Sequence, residues 1–215
     1  KLESGVERGI LSRMNTFNYA IQHAEALEAA GYDFDSSSNE AVARGQVPLN
    51  DYETVVWILG QEAANDATFD EFEREVVEAY LNNGGTMLVT GSNVASELSE
   101  RAPEFLEDVL RTSYTNHHEG ELKAHGLSDS IFTKTALSFA EADGAPYPVQ
   151  SPDMLEPVNG ARIALIYPDG MAAATSYAGD YAVVVAGFPF EAIGDAAARE
   201  DFMRRTLSFF ESATR

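Results

Sequence analysis

At 215 residues and 45% apolar content, the chain is long enough for one well-filled core and too apolar to be disordered throughout. Thirty-five acidic residues against 14 basic ones give a net charge of −21, which excludes nucleic acid as a partner and disfavours an anionic membrane surface, since both need a basic face. The absence of cysteine removes disulfides, thiolate nucleophiles and cysteine-ligated metals, and no apolar run reaches the roughly 20 residues of a membrane span.

The first half alternates helical and strand patterns. Thr16 to Ala30 reads as a helix, with Phe17, Ala20, Ile21, Ala24 and Leu27 on one face and Gly31 ending it. A short strand is expected around Tyr32 to Asp35. Thr54 to Leu59 is a continuous apolar run bounded by Asp51 and Gly60, as in a strand buried on both faces. Asp70 to Asn83 predicts an amphipathic helix whose stripe is Phe69, Phe72, Val76, Val77, Tyr80 and Leu81, stopped at Gly84-Gly85. Thr86 to Thr90 is the next buried strand, and strand, helix, strand at this spacing forms a right-handed βαβ unit.

Between Ser99 and Asn159 the pattern blurs. Pro103 to Arg111 reads as one helix, and residues from about 113 to 160, with short strands and turns, read as an irregular insertion packed beside the sheet. Strands at Ala161–Tyr167, Met171–Tyr177 and Tyr181–Gly187, joined by short turns, form an antiparallel meander. Asp195 to Phe210 closes the chain as a helix. One α/β domain covering residues 1–215 is expected.

Three segments resemble the class I glutamine amidotransferase-like superfamily: Tyr52 to Gly60, Gly84 to Ser92, and Pro168-Asp169-Gly170 through to Gly187-Phe188-Pro189-Phe190-Glu191. The resemblance implies a flavodoxin-like three-layer sandwich, with a mainly parallel sheet and an antiparallel C-terminal meander. A nearer resemblance lies in Asn15–Tyr19, His23–Leu27, Ser38–Val42, Trp57–Gly60 and Gly187–Glu191, which are similar to a domain of secreted bacterial proteins labelled xanthan-lyase-like. Such labels describe neighbouring modules. They imply a secreted or cell-envelope setting and neighbouring modules of the same polypeptide as partners, with a glycan as a further candidate. The start at Lys1 rather than Met reads as a piece excised from a longer parent. The acidity, with only three lysines among the 14 cations, suits either a salt-loving source or an ordinary acidic extracellular protein.

The departures from the superfamily bear on chemistry. Where its amidotransferases need a cysteine, the chain offers Gly91 or Ser92; where they need a histidine followed by a carboxylate, it offers Phe190 and Glu191. Thiolate–imidazole chemistry is therefore excluded. The candidate catalytic residues that remain are Ser92, Glu62 and Glu191, with Gln61, Gly91 and Asn93 as candidate ligand-binding neighbours. Ser92 stands either at an exposed strand-to-helix turn suited to a nucleophile or an anion, or as the N-cap of a helix around Val94 to Leu98. Glu62 follows the Trp57 strand at the sheet edge where α/β folds place ligands, or is a solvated carboxylate. Glu191 should fall near the same edge.

No metal site and no cofactor are expected. His117-His118-Glu119 reads as a surface loop, because neighbouring strand residues point to opposite faces. His23 reads as a boundary residue. Asp66, Asp70, Glu71 and Glu73 lack calcium-loop spacing and read as the acidic start of a helix.

The reading that follows is a non-catalytic binding or scaffolding domain of a larger exported protein associated with carbohydrate or cell-wall processing. The alternatives are a hydrolase using Ser92 or Glu62 with Glu191, and a purely structural interface domain. A catalytic site requires these side chains within hydrogen-bonding range around a pocket. A binding module shows an open cleft, with rings such as Trp57 exposed. A structural module shows a filled sheet edge and an apolar patch elsewhere.

Overall fold

The computed structural model describes residues 19–61, 67–139 and 146–213. The first half runs α1 (Tyr19–Ala30), α2 (Asn39–Ala43), β1 (Thr54–Gln61), α3 (Glu71–Asn82), β2 (Thr86–Ser92) and α4 (Val94–Arg101). A π-helical turn at Phe105–Val109 leads into β3 (Thr112–His117), β4 (Lys123–Gly126), β5 (Ala136–Ser138) and β6 (Asp153–Pro157). The last third is β7 (Arg162–Ile166), β8 (Ala172–Ala178), β9 (Ala182–Ala186), a 3-10 turn at Phe190–Ala192 and α5 (Ala196–Ala213).

One sheet holds all nine of these strands, in the order β1-β2-β9-β8-β7-β4-β5, with β6 joined to β8 and β3 to β6. The α/β class is as expected, but the sheet is less parallel than a flavodoxin-like sandwich. Among the described residues only β1–β2 and β2–β9 run parallel, and every other pairing is antiparallel. The reason lies in the connections: turns of a few residues join β7 to β8 and β8 to β9, and such turns link only antiparallel neighbours. The expected insertion at 113–160 is not set beside the sheet; β3 to β6 are strands of it.

The parallel corner is covered on both faces. Successive side chains on β2 and β9 point to opposite sides. Leu88 and Val184 join Ala26 of α1 and Phe202, Met203 and Phe210 of α5, whereas Met87, Val89, Val183 and Val185 join Val77 and Leu81 of α3 and Leu98 of α4. Residues 86–92 and 182–186 are all buried, the apolar 182–186 throughout and 86–92 with Thr86, Thr90 and Ser92 buried among apolar neighbours. β1, by contrast, is the edge strand of the path, and its apolar run is only half-buried.

Two local expectations change. Residues 32–35 form no strand; Tyr32 is instead fastened to α5 by its hydroxyl, which donates to Glu211. In α3 the stripe omits Phe72, which is 66% exposed, and includes Glu73, which is buried. Glu73 closes a capping box: its backbone N–H donates to Asp70 Oδ1 at 2.8 Å while its carboxylate accepts from the Asp70 N–H at 2.8 Å. Asn39 Nδ2 donates to the same carboxylate at 2.6 Å, tying α2 to α3. Asp70→Ala is expected to cost about 1 kcal/mol and to lower Tm by roughly 3 °C in a thermal melt.

Candidate functional site

The strand exits gather on one rim. Gly60 lies opposite Gly91 and Gln61 opposite Ser92 in the β1–β2 register, after an irregularity between Ile58 and Gly60. Gly60 has φ of +63°, a conformation that disfavours side chains, and a Cβ built there would lie 3.3 Å from Glu191 Oε1, 3.4 Å from the Tyr19 ring and 3.5 Å from the Tyr147 hydroxyl. The exits of β1, β2 and β9 therefore meet, and Glu191, Gln61, Gly91, Ser92 and Asn93 lie along one edge. Glu62 lies outside the described residues, as does Asp66.

Each member of this group is held by a different force. Glu191, in the 3-10 turn after β9, is fully buried. Its Oε1 accepts from the Tyr147 hydroxyl, while Oε2 has no hydrogen-bond partner. Burial pushes its carboxyl up from 4.5 to about 7, with the Tyr147 hydrogen bond pulling the other way. Tyr147 meets Tyr19 edge-on with ring centroids 5.1 Å apart, so a second ring backs the one that bonds the carboxyl. Gln61 Oε1 accepts from the Gln150 backbone N–H at 2.9 Å, which ties the exit of β1 to the same segment as Tyr147.

Ser92 does not occupy an exposed turn, nor does it cap α4. It is the last residue of β2, fully buried, with its hydroxyl unpartnered; Thr90, on the same face of the strand, is likewise buried and unpartnered at Oγ1. Neither Ser92 Oγ nor Glu191 Oε2 has a partner, so these two atoms form no hydrogen bond with one another. His23 also differs from expectation. It is 2% exposed, packs on the Phe190 ring with centroids 4.4 Å apart, and donates from Nδ1 to the Tyr19 carbonyl at 2.8 Å. Burial lowers its pKa to about 4, which leaves it neutral and makes Nε2 an unpartnered acceptor.

The decisive residue is one the sequence did not single out. Asn93, the residue just before α4, sits in the left-handed region (φ 62°, ψ 7°) and does not cap the helix with its own side chain. The free N–H groups of that first turn point at Asp153, the first residue of β6, which is fully buried. Asp153 Oδ2 accepts from the Ala95 N–H at 2.8 Å, while Oδ1 has no hydrogen-bond partner and the Ser96 hydroxyl donates to the Asn93 carbonyl at 3.1 Å. Its backbone is equally fixed: the Asp153 N–H donates to the Gly187 carbonyl at 2.6 Å, and its carbonyl accepts from the Tyr167 hydroxyl at 3.2 Å. A Cβ on Gly187 would run into that carbonyl oxygen, so the β9 exit must be glycine. His117 Nδ1 lies 3.4 Å from Asp153 Oδ1, close enough for an ion pair when protonated but without hydrogen-bond geometry. Burial raises the Asp153 carboxyl to about 7, while the helix N–H groups act in the opposite sense.

A left-handed residue between a strand and a helix N-terminus, with converging N–H groups, is the arrangement that serves nucleophiles and anions elsewhere. Here an internal carboxylate takes the anion's place. His118, expected on a surface loop, is instead buried: it stacks on Tyr167 (centroids 4.1 Å apart, planes 4° apart), with Nδ1 3.1 Å from Asp169 and Nε2 3.0 Å from the Glu121 carbonyl. The two histidines point to different partners, as neighbouring strand residues do. No group of three or more metal-ligating side chains occurs among the described residues, and no described helix is long and apolar enough to cross a membrane.

No protein-family model and no curated protein matches the chain in sequence. Solved structures do match in shape. A putative GMP synthase subunit from Thermoplasma acidophilum superposes with a TM-score of 0.56 at 13% identity, covering 92% of each chain. A putative ThuA-like protein from Bacteroides uniformis gives 0.52 at 12%, over 91% of this chain and 86% of its own. Gan42B, a GH42 β-galactosidase from G. stearothermophilus, gives 0.61 at 11%; it covers 96% of this chain, which spans only 28% of the galactosidase. The likeness is one of fold. The α/β fold expected from the order of three sequence segments thus recurs in these solved proteins, one of them a much longer glycosidase.

Proposed function

We propose that this domain is non-catalytic: an amidotransferase-like binding or scaffolding unit of a larger exported protein associated with carbohydrate or cell-wall processing. The observation that carries the reading is Asp153. Its carboxylate sits at the first turn of α4 and accepts the Ala95 N–H, a group that in a working elbow would face an incoming anion or a developing oxyanion. Burial of Ser92 and Glu191, and the absence of a hydrogen bond between them, support the same conclusion. Trp57 is buried and stacked on Phe69 with centroids 5.2 Å apart, so it is no binding platform; a filled edge with apolar surface elsewhere favours the scaffolding form. The exported, carbohydrate-related setting draws on the resemblance to xanthan-lyase-like proteins and on the galactosidase, where a similar fold is one part of a longer chain.

A hydrolase built on Ser92 or Glu62 with Glu191 is the competing reading. Chromogenic ester, amide and glycoside substrates separate the two. No turnover above buffer is expected, and Ser92→Ala, Glu62→Gln and Glu191→Gln should leave that baseline where it is. Turnover that any of these substitutions abolishes would refute the non-catalytic reading.

A further inference from the structure

At the other end of β1 from the rim lies a feature that the rim residues do not use. A groove of about 220 Å³ runs between α2, the 3-10 turn at Leu49–Asp51 and α3, and is lined by Val42, Val47, Pro48, Leu49, Val76 and Ala79 among others. Its volume is below the roughly 300–1,000 Å³ of small-molecule sites, so it suits one anchoring side chain better than a cofactor. The groove does not end at its own walls. On α3, Phe72, Val76 and Ala79 follow one another at i, i+4 and i+7, and Phe72 is 66% exposed. That row is a ready strip for an apolar partner.

The surrounding charge selects the partner. Glu71, Glu75 and Glu78, all exposed, stand on the adjoining row of α3, and exposed Glu40 and Asp51 lie on α2 and the 3-10 turn, with Arg44 and the partly buried Arg74 the nearby cations. A second copy of a chain carrying −21 would bring like charges together over this strip, which disfavours self-association. We propose that the groove docks a basic amphipathic helix of a protein partner, with one large apolar side chain in the groove and others along the Phe72 row. Lysine or arginine residues flanking the apolar face would meet the glutamates, and helix-in-groove docking of this kind reads apolar anchors at i, i+3, i+4 and i+7. The groove adjoins the entry of β1, whereas Glu191 and Ser92 lie at the strand exits, so docking and rim chemistry are tested separately.

The test titrates the protein against a fluorescein-labelled helical peptide with leucine on one face and lysine on the other. Two controls replace every leucine by alanine or every lysine by glutamate. Anisotropy should rise only with the leucine–lysine peptide. Phe72→Ala, at a site too exposed to matter for folding, should weaken binding on the order of tenfold, and Glu75→Lys/Glu78→Lys should weaken it further at low salt. Equal binding of the alanine control would mean adsorption by charge alone and overturn the proposal. So would no binding at all, or a dimer in light scattering that Phe72→Ala splits, since the strip would then belong to a second copy.

Discussion

Asp153→Ala is expected to destabilise the domain by about 3 kcal/mol at pH 6, lowering Tm by roughly 10 °C, whereas Asp153→Asn costs under about 1 kcal/mol. The carboxyl group accepts the Ala95 N–H from the first turn of α4 in a fully buried setting, and the neighbouring Val94 and Ser96 N–H groups favour its charged form. Alanine leaves the Ala95 N–H without an acceptor and a void beside it, and a buried donor left unsatisfied costs about 1–3 kcal/mol. Asparagine keeps an acceptor oxygen at the same place. At pH 6 the carboxyl, pushed up to about 7, is mostly protonated, so loss of its charge contributes little to the comparison. Equal Tm values for the alanine variant and the wild type would mean that α4 is capped by something else.

The second large effect is a pH dependence. Glu191 has its carboxyl pushed up from 4.5 to about 7 by burial, so between those values the folded state holds a proton that the unfolded state has released. Stability from this group is fully present below about pH 4.5, falls as pH rises toward 7 and then levels off. Glu191→Gln mimics the protonated form and still accepts from Tyr147. The variant should match the wild type near pH 5 and exceed it at pH 8 by about 3 kcal/mol, taking about 1.4 kcal/mol for each tenfold step in acidity. Paired melts across that range report the difference directly, and other carboxylates cancel between the two proteins. A gap that is constant with pH, or that opens on the acid side, would place the Glu191 carboxyl in solvent.

The rim was legible because its physics is local. The apolar runs of β1 and β2 end at Gly60 and Gly91, the β9 run ends at Gly187, and each glycine stands where a neighbour crowds the backbone. Strand type was harder to read. An unbroken apolar run looks the same at a sheet edge, as in β1, as in the middle, as in β2 and β9, because lateral position depends on pairing rather than on the run itself. The stretch from 113 to 160 showed short strands but not that they join the main sheet, because β3, β4 and β6 pair with strands that come much later in the chain. Asp153 was invisible for the same reason: it meets Ala95 across 58 residues of sequence, and nothing in Pro152-Asp153-Met154 marks it. One trace existed in Asn93-Val94-Ala95, a helix start whose own N-cap side chain leaves the first-turn N–H groups to a distant acceptor. Phe72 and His23 are mirror-image errors of periodicity: Phe72 fits the stripe and is exposed, while His23 sits off it and is buried against Phe190.

The most direct test of the central claim is the carboxyl titration of Asp153, followed by carbon-13 NMR and assigned by its loss in Asp153→Asn. A carboxylate buried against the first turn of α4 should titrate with a midpoint near 7. A midpoint near the ordinary aspartate value of about 4, together with an Ala95 amide proton that exchanges as fast as an exposed one, would put it in water, leave the helix N-terminus open to an outside anion, and contradict the account.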